Sequence, residues 1–142
     1  MQIKQATAAD EARIKEFSAA EWPAADLEHF GTAEVDFKRR EFTFVAEIDG
    51  QLVGYIVLKT DMGVCKIDSL ITSQAHRGQG IGKLLMSQAE SQAQAEDCHK
   101  LRLETGADWA ARKFYESLGY TVAATLTNHY AHKDFVIMEK FL

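Results

Sequence analysis

The stretch IDSLITSQAHRGQGIGKLLMSQAE, residues 67–90, decides how this chain reads. It opens as a strand, because Val64, Ile67, Leu70 and Ile71 form a short apolar run with β-branched members. Polar residues 72–79 turn the chain, and a helix follows with Ile81, Leu84, Leu85 and Ala89 expected on one face. At the junction stands Arg77-Gly78-Gln79-Gly80-Ile81-Gly82-Lys83. Glycines at 78, 80 and 82 remove side chains where something must approach the backbone closely. First-turn N–H groups have no intrahelical acceptor and lie at the positive end of the helix dipole, which suits an anion such as phosphate. Arg77 and Lys83 add positive charge around it.

Other glycine-rich loops can be weighed against this one. A turn that only lets a helix pack close to a sheet remains open from the glycines alone. A P-loop needs Ser or Thr after its lysine, and Leu84 follows Lys83. A dinucleotide fingerprint counted from Gly78 and Gly80 puts Lys83 where a third glycine must permit close helix–strand contact.

The pattern that fits is R-x-x-G-x-G, met by Arg77, Gly80 and Gly82 after a strand and at the start of a helix. It resembles the acyl-CoA signature of the GCN5-related N-acetyltransferases. The resemblance implies that Leu70, Ile71 and Thr72 at the strand end bind the coenzyme A moiety of acetyl-CoA. The loop residues Arg77, Gly78, Gln79, Gly80, Ile81, Gly82 and Lys83 join them, their N–H groups holding the pyrophosphate.

Composition sets wider bounds. The chain has 142 residues, 46% hydrophobic and 26% charged, which is ordinary for one globular domain. Its N-terminal MQIKQATAAD lacks an apolar core, and no run approaches eighteen apolar residues, so a cytoplasmic protein without membrane partners is expected. The net charge of −5 argues against nucleic acid as a partner and mildly favours a cationic one. Cys65 and Cys98 make neither a metal framework nor a disulfide framework, so no metal is expected.

In chain order, residues 2–6 read as a short strand, and Thr7 as a helix cap with Asp10 at the third helical position. The helix should end at Glu21-Trp22-Pro23, since proline disfavours helix before it, and a second helix should cover residues 24–30. Residues 32–40 read as irregular. Phe42, Phe44, Ala46 and Ile48 alternate on one strand face, and Asp49-Gly50 is a type I′ hairpin signal leading to a partner strand over residues 51–59. A second turn at residues 60–63 enters the opening stretch. The next strand, residues 101–104, should pair in parallel through a right-handed crossover. Asp108 is placed as the cap of a helix over residues 109–118, with Gly119 just past its end, and strands follow over residues 120–126 and 135–141. The expected architecture is α/β, a single domain over residues 1–142. About seven strands, mostly antiparallel, and about four helices build it. The same element order occurs in the acetyltransferase family, which implies a central parallel pair splayed at the acyl-CoA site.

A second constellation is Leu103-Glu104-Thr105, then Asp108-Trp109-Ala110-Ala111-Arg112-Lys113-Phe114-Tyr115 and Gly119-Tyr120. It is similar to the family's other signature, a strand ending in LE followed by N-x-x-A-x-x-F-Y-x-x-x-G-F. The resemblance adds Asp108, Ala111, Phe114 and Tyr115 to the cofactor contacts. Asp108 stands where the family has asparagine, and a carboxylate cannot donate that amide's hydrogen bond.

Acyl transfer to an amine needs a proton acceptor, an oxyanion donor and a proton for the departing thiolate. By resemblance, Tyr115 is the acid and Glu104 the base, with a core tyrosine and a solvated strand-end carboxylate as the alternatives. The Leu70 or Ile71 N–H is expected as the oxyanion donor, freed by a family bulge. Asp68 and Glu47 are secondary carboxylates, and His129 a weak candidate. Trp22, Phe30, Asp68 and Tyr130 are expected on the acceptor side, beside Asn128 and His129. Neither cysteine sits in a nucleophile's setting, so direct transfer in a ternary complex is expected. The resulting expectation is an acetyl-CoA-dependent N-acetyltransferase acting on a primary amine, as a monomer or homodimer. The rivals are a non-catalytic acyl-CoA-binding module and a nucleotide-binding protein using the same glycines.

Overall fold

The computed structural model describes all residues, Met1–Leu142, as two compact units, Met1–Phe37 and Lys38–Leu142. In the first, Thr7 and Asp10 meet as the sequence suggests. The Thr7 N–H and hydroxyl both donate to the Asp10 carboxylate at 3.1 Å, around a 3₁₀ turn over Ala8–Asp10. Residues 2–6 are not a strand. One helix, α1 (Glu11–Phe30), replaces the two expected, with Pro23 inside it. Proline there removes one backbone bond and crowds the carbonyl four residues back. Ala19, Ala20, Ala24 and Ala25 are strong helix formers on both sides, and the helix continues through the defect. It ends at Gly31, left-handed at φ 74°, whose N–H donates to the Leu27 carbonyl.

The second unit is a six-stranded sheet. Strands β1 (Arg40–Ile48), β2 (Gln51–Asp61) and β3 (Val64–Thr72) form an antiparallel meander. Both of its turns use paired positive φ, at Asp49-Gly50 and at Met62-Gly63. Helix α2 (Ile81–Ala95) crosses over to β4 (Lys100–Gly106), which runs parallel to β3. After α3 (Ala110–Ser117), the strands β5 (Thr121–Leu126) and β6 (Phe135–Phe141) complete the order β1-β2-β3-β4-β6-β5. The last strand therefore inserts beside β4 and leaves β5 at the edge. The α/β class and mostly antiparallel sheet stand as expected, with six strands and three α-helices instead of seven and four.

The core lies where α2 covers the sheet. Ile56, Leu58, Cys65, Leu101, Leu103 and Met138 are fully buried there, joined from α2 by Ile81, Leu85, Met86, Ala89 and Ala93. Leu84, expected on that face, is 70% exposed. At about 100° per residue, positions 81, 85, 86, 89 and 93 fall within an arc of about 140° that leaves 84 outside. Ile48 is likewise exposed although Phe42, Phe44 and Ala46 pack on the core, since it is the last residue of β1, at the hairpin end past the register shift between Ala46 and Glu47. No helix is long and apolar enough to cross a membrane.

Candidate active site

Two irregularities of β3 build the site. Val57 pairs with Ser69 and Leu58 with Ile67, so Asp68 is an extra residue in β3, a bulge. The core-facing positions consequently change from Cys65 and Ile67 to Leu70, three residues on. The parallel ladder to β4 covers only Val64–Lys100, Cys65–Leu101 and Lys66–Arg102. Beyond Arg102 and Lys66 the strands part, and a cleft of about 340 Å³ opens between Asp68–Ile71 and Leu103–Thr105. Tyr55, Trp109, Ala111 and Tyr115 complete its walls.

A second cleft of about 680 Å³ continues along the end of β3 and the start of α2. It brings together Leu70, Ile71, Thr72, Arg77, Gly78, Gly80, Ile81, Gly82, Lys83, Ala111, Phe114 and Tyr115, all singled out by sequence. Gly78 and Gly80 are left-handed at φ 77° and 83°, and a Cβ on either would meet nothing within 4 Å. Their conformation and the open space above them fit an anion drawn against the backbone. The first helical bond is Leu84 N–H to the Gly80 carbonyl, so the N–H groups of residues 81–83 have no partner within the helix. Gly82 has a further task, since its Cβ would stand 3.3 Å from Phe114 Cζ and press α2 away from α3. Donor set, added cations and missing side chains all suit the pyrophosphate of coenzyme A.

Gln79 and Asp108 do not line this cleft. Asp108 is also not the cap of α3. Trp109 occupies that position, its N–H donating to the Gly106 carbonyl at 3.1 Å, and Asp108 is exposed one residue outside. The loop after β4 is tighter than the sequence suggests, which shifts the helix start by one residue.

Tyr115 lines both clefts and is only 8% exposed. Its ring packs edge-on to Phe114 at 5.2 Å and to Tyr120 at 6.1 Å. Burial pushes its phenol above the ordinary tyrosine range, so the hydroxyl is neutral and holds a proton. Tyr120 behind it is raised further, first by burial and then by the Glu90 charge.

Glu104 faces the smaller cleft and accepts a hydrogen bond from Arg102 Nη2 at 3.1 Å. Opposite, Asp68 is held by Lys59 at 3.0 Å and Lys66 at 3.3 Å. The hydrogen bond from Lys59 is the main reason its carboxyl lies below the usual range, with Lys66 next. Tyr130 lies outside both clefts, 58% exposed and tilted against His129 at 4.1 Å between ring centroids, while Asn128 has a φ of 50° in the same loop. Trp22 and Phe30 belong to the first unit, exposed on α1. Residues that sequence reasoning passed over are Tyr55, Ser69 and His76, which line one cleft or the other, while Thr105, Trp109 and Ala110, also in the linings, were read only as part of a motif. The spacing of three between the core residues Ile67 and Leu70 was the available signal for the bulge.

A parallel pair that parts beside a glycine-rich helix start is the geometry of this site, and comparison with known proteins bears on it directly. The sequence model of the acetyltransferase (GNAT) family matches residues 8–120, and the chain belongs to that family. An uncharacterized N-acetyltransferase of Methanocaldococcus jannaschii is 36% identical over 100 residues, 68% of this chain and 64% of that protein. The chain spans 64% of the length of the curated relatives it matches. The crystal structure of an acetyltransferase from Bacillus cereus ATCC 14579 shares the fold, with a TM-score of 0.79 and 22% identity over 100% of this chain and 98% of that one. The crystal structure of a putative streptothricin acetyltransferase from Bacillus anthracis str. Ames, in complex with acetyl coenzyme A, shares it at a TM-score of 0.68. Its identity is 24%, over 72% of this chain and 63% of that one.

Proposed function

We propose that residues 1–142 act as one domain, an acetyl-CoA-dependent N-acetyltransferase that passes an acetyl group directly to a primary amine. Family membership across residues 8–120 supports the reaction class. The observation that carries the reading is the position of Tyr115, a neutral phenol shared by the donor cleft and the acceptor cleft.

Acetyl-CoA would supply an acyl group already activated as a thioester. The Gly78–Lys83 backbone, with Arg77 and Lys83, holds its pyrophosphate, and Leu70, Ile71 and Thr72 lie along the remainder. The splay between β3 and β4 admits the acyl end, where the bulge at Asp68 offers strand N–H groups as oxyanion donors. Transfer forms a C–N bond and breaks a C–S bond, and the proton lost by nitrogen balances the one gained by sulfur. Tyr115 gives the proton at the sulfur side, and Glu104, oriented by Arg102, takes it at the nitrogen side directly or through water. Both cysteines are buried and outside the clefts, which favours direct transfer over an acyl-enzyme. The reading includes a cytoplasmic monomer or homodimer with small-molecule, peptide or protein amines as acceptors.

The test is thiol release from acetyl-CoA with a panel of primary amines, with mass spectrometry of the amine. An added acetyl group on at least one amine, at a rate above the amine-free control, is the expected result. Coenzyme A binding without acetyl transfer to any amine contradicts it, and marks an acyl-CoA-binding module instead.

A further inference from the structure

The acceptor cleft is walled by aromatic rings, and its carboxylates are engaged. Asp68 has Lys59 and Lys66 at salt-bridge distance, and Glu104 has Arg102 at 3.1 Å. A polycationic acceptor would have to displace these cations, one at a time, to find negative charge. Rings offer another grip. Tyr55, Tyr115 and Trp109 line the cleft, and Trp109 is 53% exposed. Leaving so large a side chain half in water forgoes apolar burial, which fits a surface awaiting a ligand better than it fits a core.

The Trp109 ring is also held in place. It lies across Gly106, where any Cβ would overlap its atoms, and its edge packs against Phe135 at 5.3 Å. Phe135 in turn meets Tyr130 edge-on at 5.2 Å. A shelf of rings thus runs from the cleft mouth outward to Tyr130, each ring fixed by the next. Fixed aromatic surfaces bind flat apolar bodies at small entropic cost, through offset or edge-to-face contacts.

Resting on the acetyltransferase reading, we infer that the acceptor is a primary amine carried on a planar aromatic or heteroaromatic body. Trp109 packs against that body at the cleft mouth and Tyr130 extends the contact at the rim. The amine reaches inward between Asp68 and Glu104, and Trp109 selects among acceptors without entering the chemistry.

Calorimetry tests this on the full chain saturated with coenzyme A, titrated in parallel with 2-phenylethylamine, n-hexylamine and spermidine. The aryl amine should bind roughly 10-fold more tightly than the alkyl amine, as one good aromatic contact confers, with spermidine weakest. Trp109→Leu keeps apolar bulk and should erase the aryl preference. Its coenzyme A affinity, measured in the same cell, reports whether it is folded. Should Trp109→Leu not fold, Tyr130→Ala at the exposed rim should still reduce the preference. Equal binding of aryl and alkyl amines, spermidine as the tightest ligand, or an undiminished preference in a folded Trp109→Leu variant would each overturn the inference. Failure to bind coenzyme A at all would instead remove the acetyltransferase reading on which it rests.

Discussion

Lys66 and Arg102 are the last residues at which β3 and β4 pair, and the candidate catalytic groups all lie beyond them. Up to that step the ladder is continuous. Past it, Asp68 on one strand and Glu104 on the other face a cleft in place of each other's backbone. The bulge at Asp68 re-aims the end of β3 at the point where the ladder stops.

The glycine loop gives the first prediction. Gly80 is left-handed, so Gly80→Val is strained by roughly 1–3 kcal/mol wherever the backbone holds its course. Gly82→Val fails differently, by driving a side chain into Phe114. Both should lose coenzyme A affinity at least about 10-fold, the first through the loop and the second by parting α2 from α3. Titration calorimetry reads it, and affinities equal to wild type in both variants would remove the pyrophosphate site from this loop.

Arg77 lines the larger cleft as an exposed cation. Arg77→Ala should weaken coenzyme A binding by about 1–3 kcal/mol, the range of a charge-assisted contact. The loss should shrink as salt is raised from low to physiological ionic strength. A salt-independent loss would point to a packing defect and not to a phosphate contact.

Much of this was legible from residues 67–90 alone, because glycine spacing, helix start and cation placement are local features. The Asp49-Gly50 hairpin and the helix end at Gly119 were legible for the same reason, since each rests on a positive φ. What failed depends on longer range. Pro23 stops a helix by local rules, yet α1 carries on through it. Leu84 suits a core face by type, but Met86 is the residue buried. Asp108 is a good cap by chemistry, and the tight turn after Gly106 hands that position to Trp109. Trp109 gained significance only when Gly106 and Phe135, three and twenty-six positions away in the chain, were found against its ring.

Alkaline stability should carry a signature of the buried thiol. Burial, and then the neighbouring Cys98, push the Cys65 thiol up to about 12 from an ordinary value near 9. A group raised in the folded state contributes stability that is complete below its unfolded value and is lost as pH climbs toward the folded one. Unfolding free energy should therefore fall between about pH 9 and 12, with Cys65 accounting for up to roughly 1.4 kcal/mol per pH unit. Cys65→Ala should make that fall shallower, measured by urea denaturation across the range. An identical slope in the variant would show that Cys65 does not titrate on unfolding there.

Glu104→Gln keeps size and removes the proton acceptor, while Arg102 loses its charged partner. If Glu104 takes the amine proton, turnover should fall by roughly 10²–10⁴-fold and recover in part as pH is raised and more amine is neutral. A variant as fast as wild type at neutral pH would assign the base to water.

The most direct test of the whole account is the rate of thiol release by Tyr115→Phe at saturating acetyl-CoA and amine. The ring stays, so its packing on Phe114 and Tyr120 and the shape of both clefts should persist. Only the neutral hydroxyl at their junction is lost. Turnover should fall by roughly 10²–10⁴-fold while coenzyme A affinity changes little. Wild-type turnover in this variant, with chemistry shown to be rate-limiting, would contradict the account and leave Tyr115 as a packing residue.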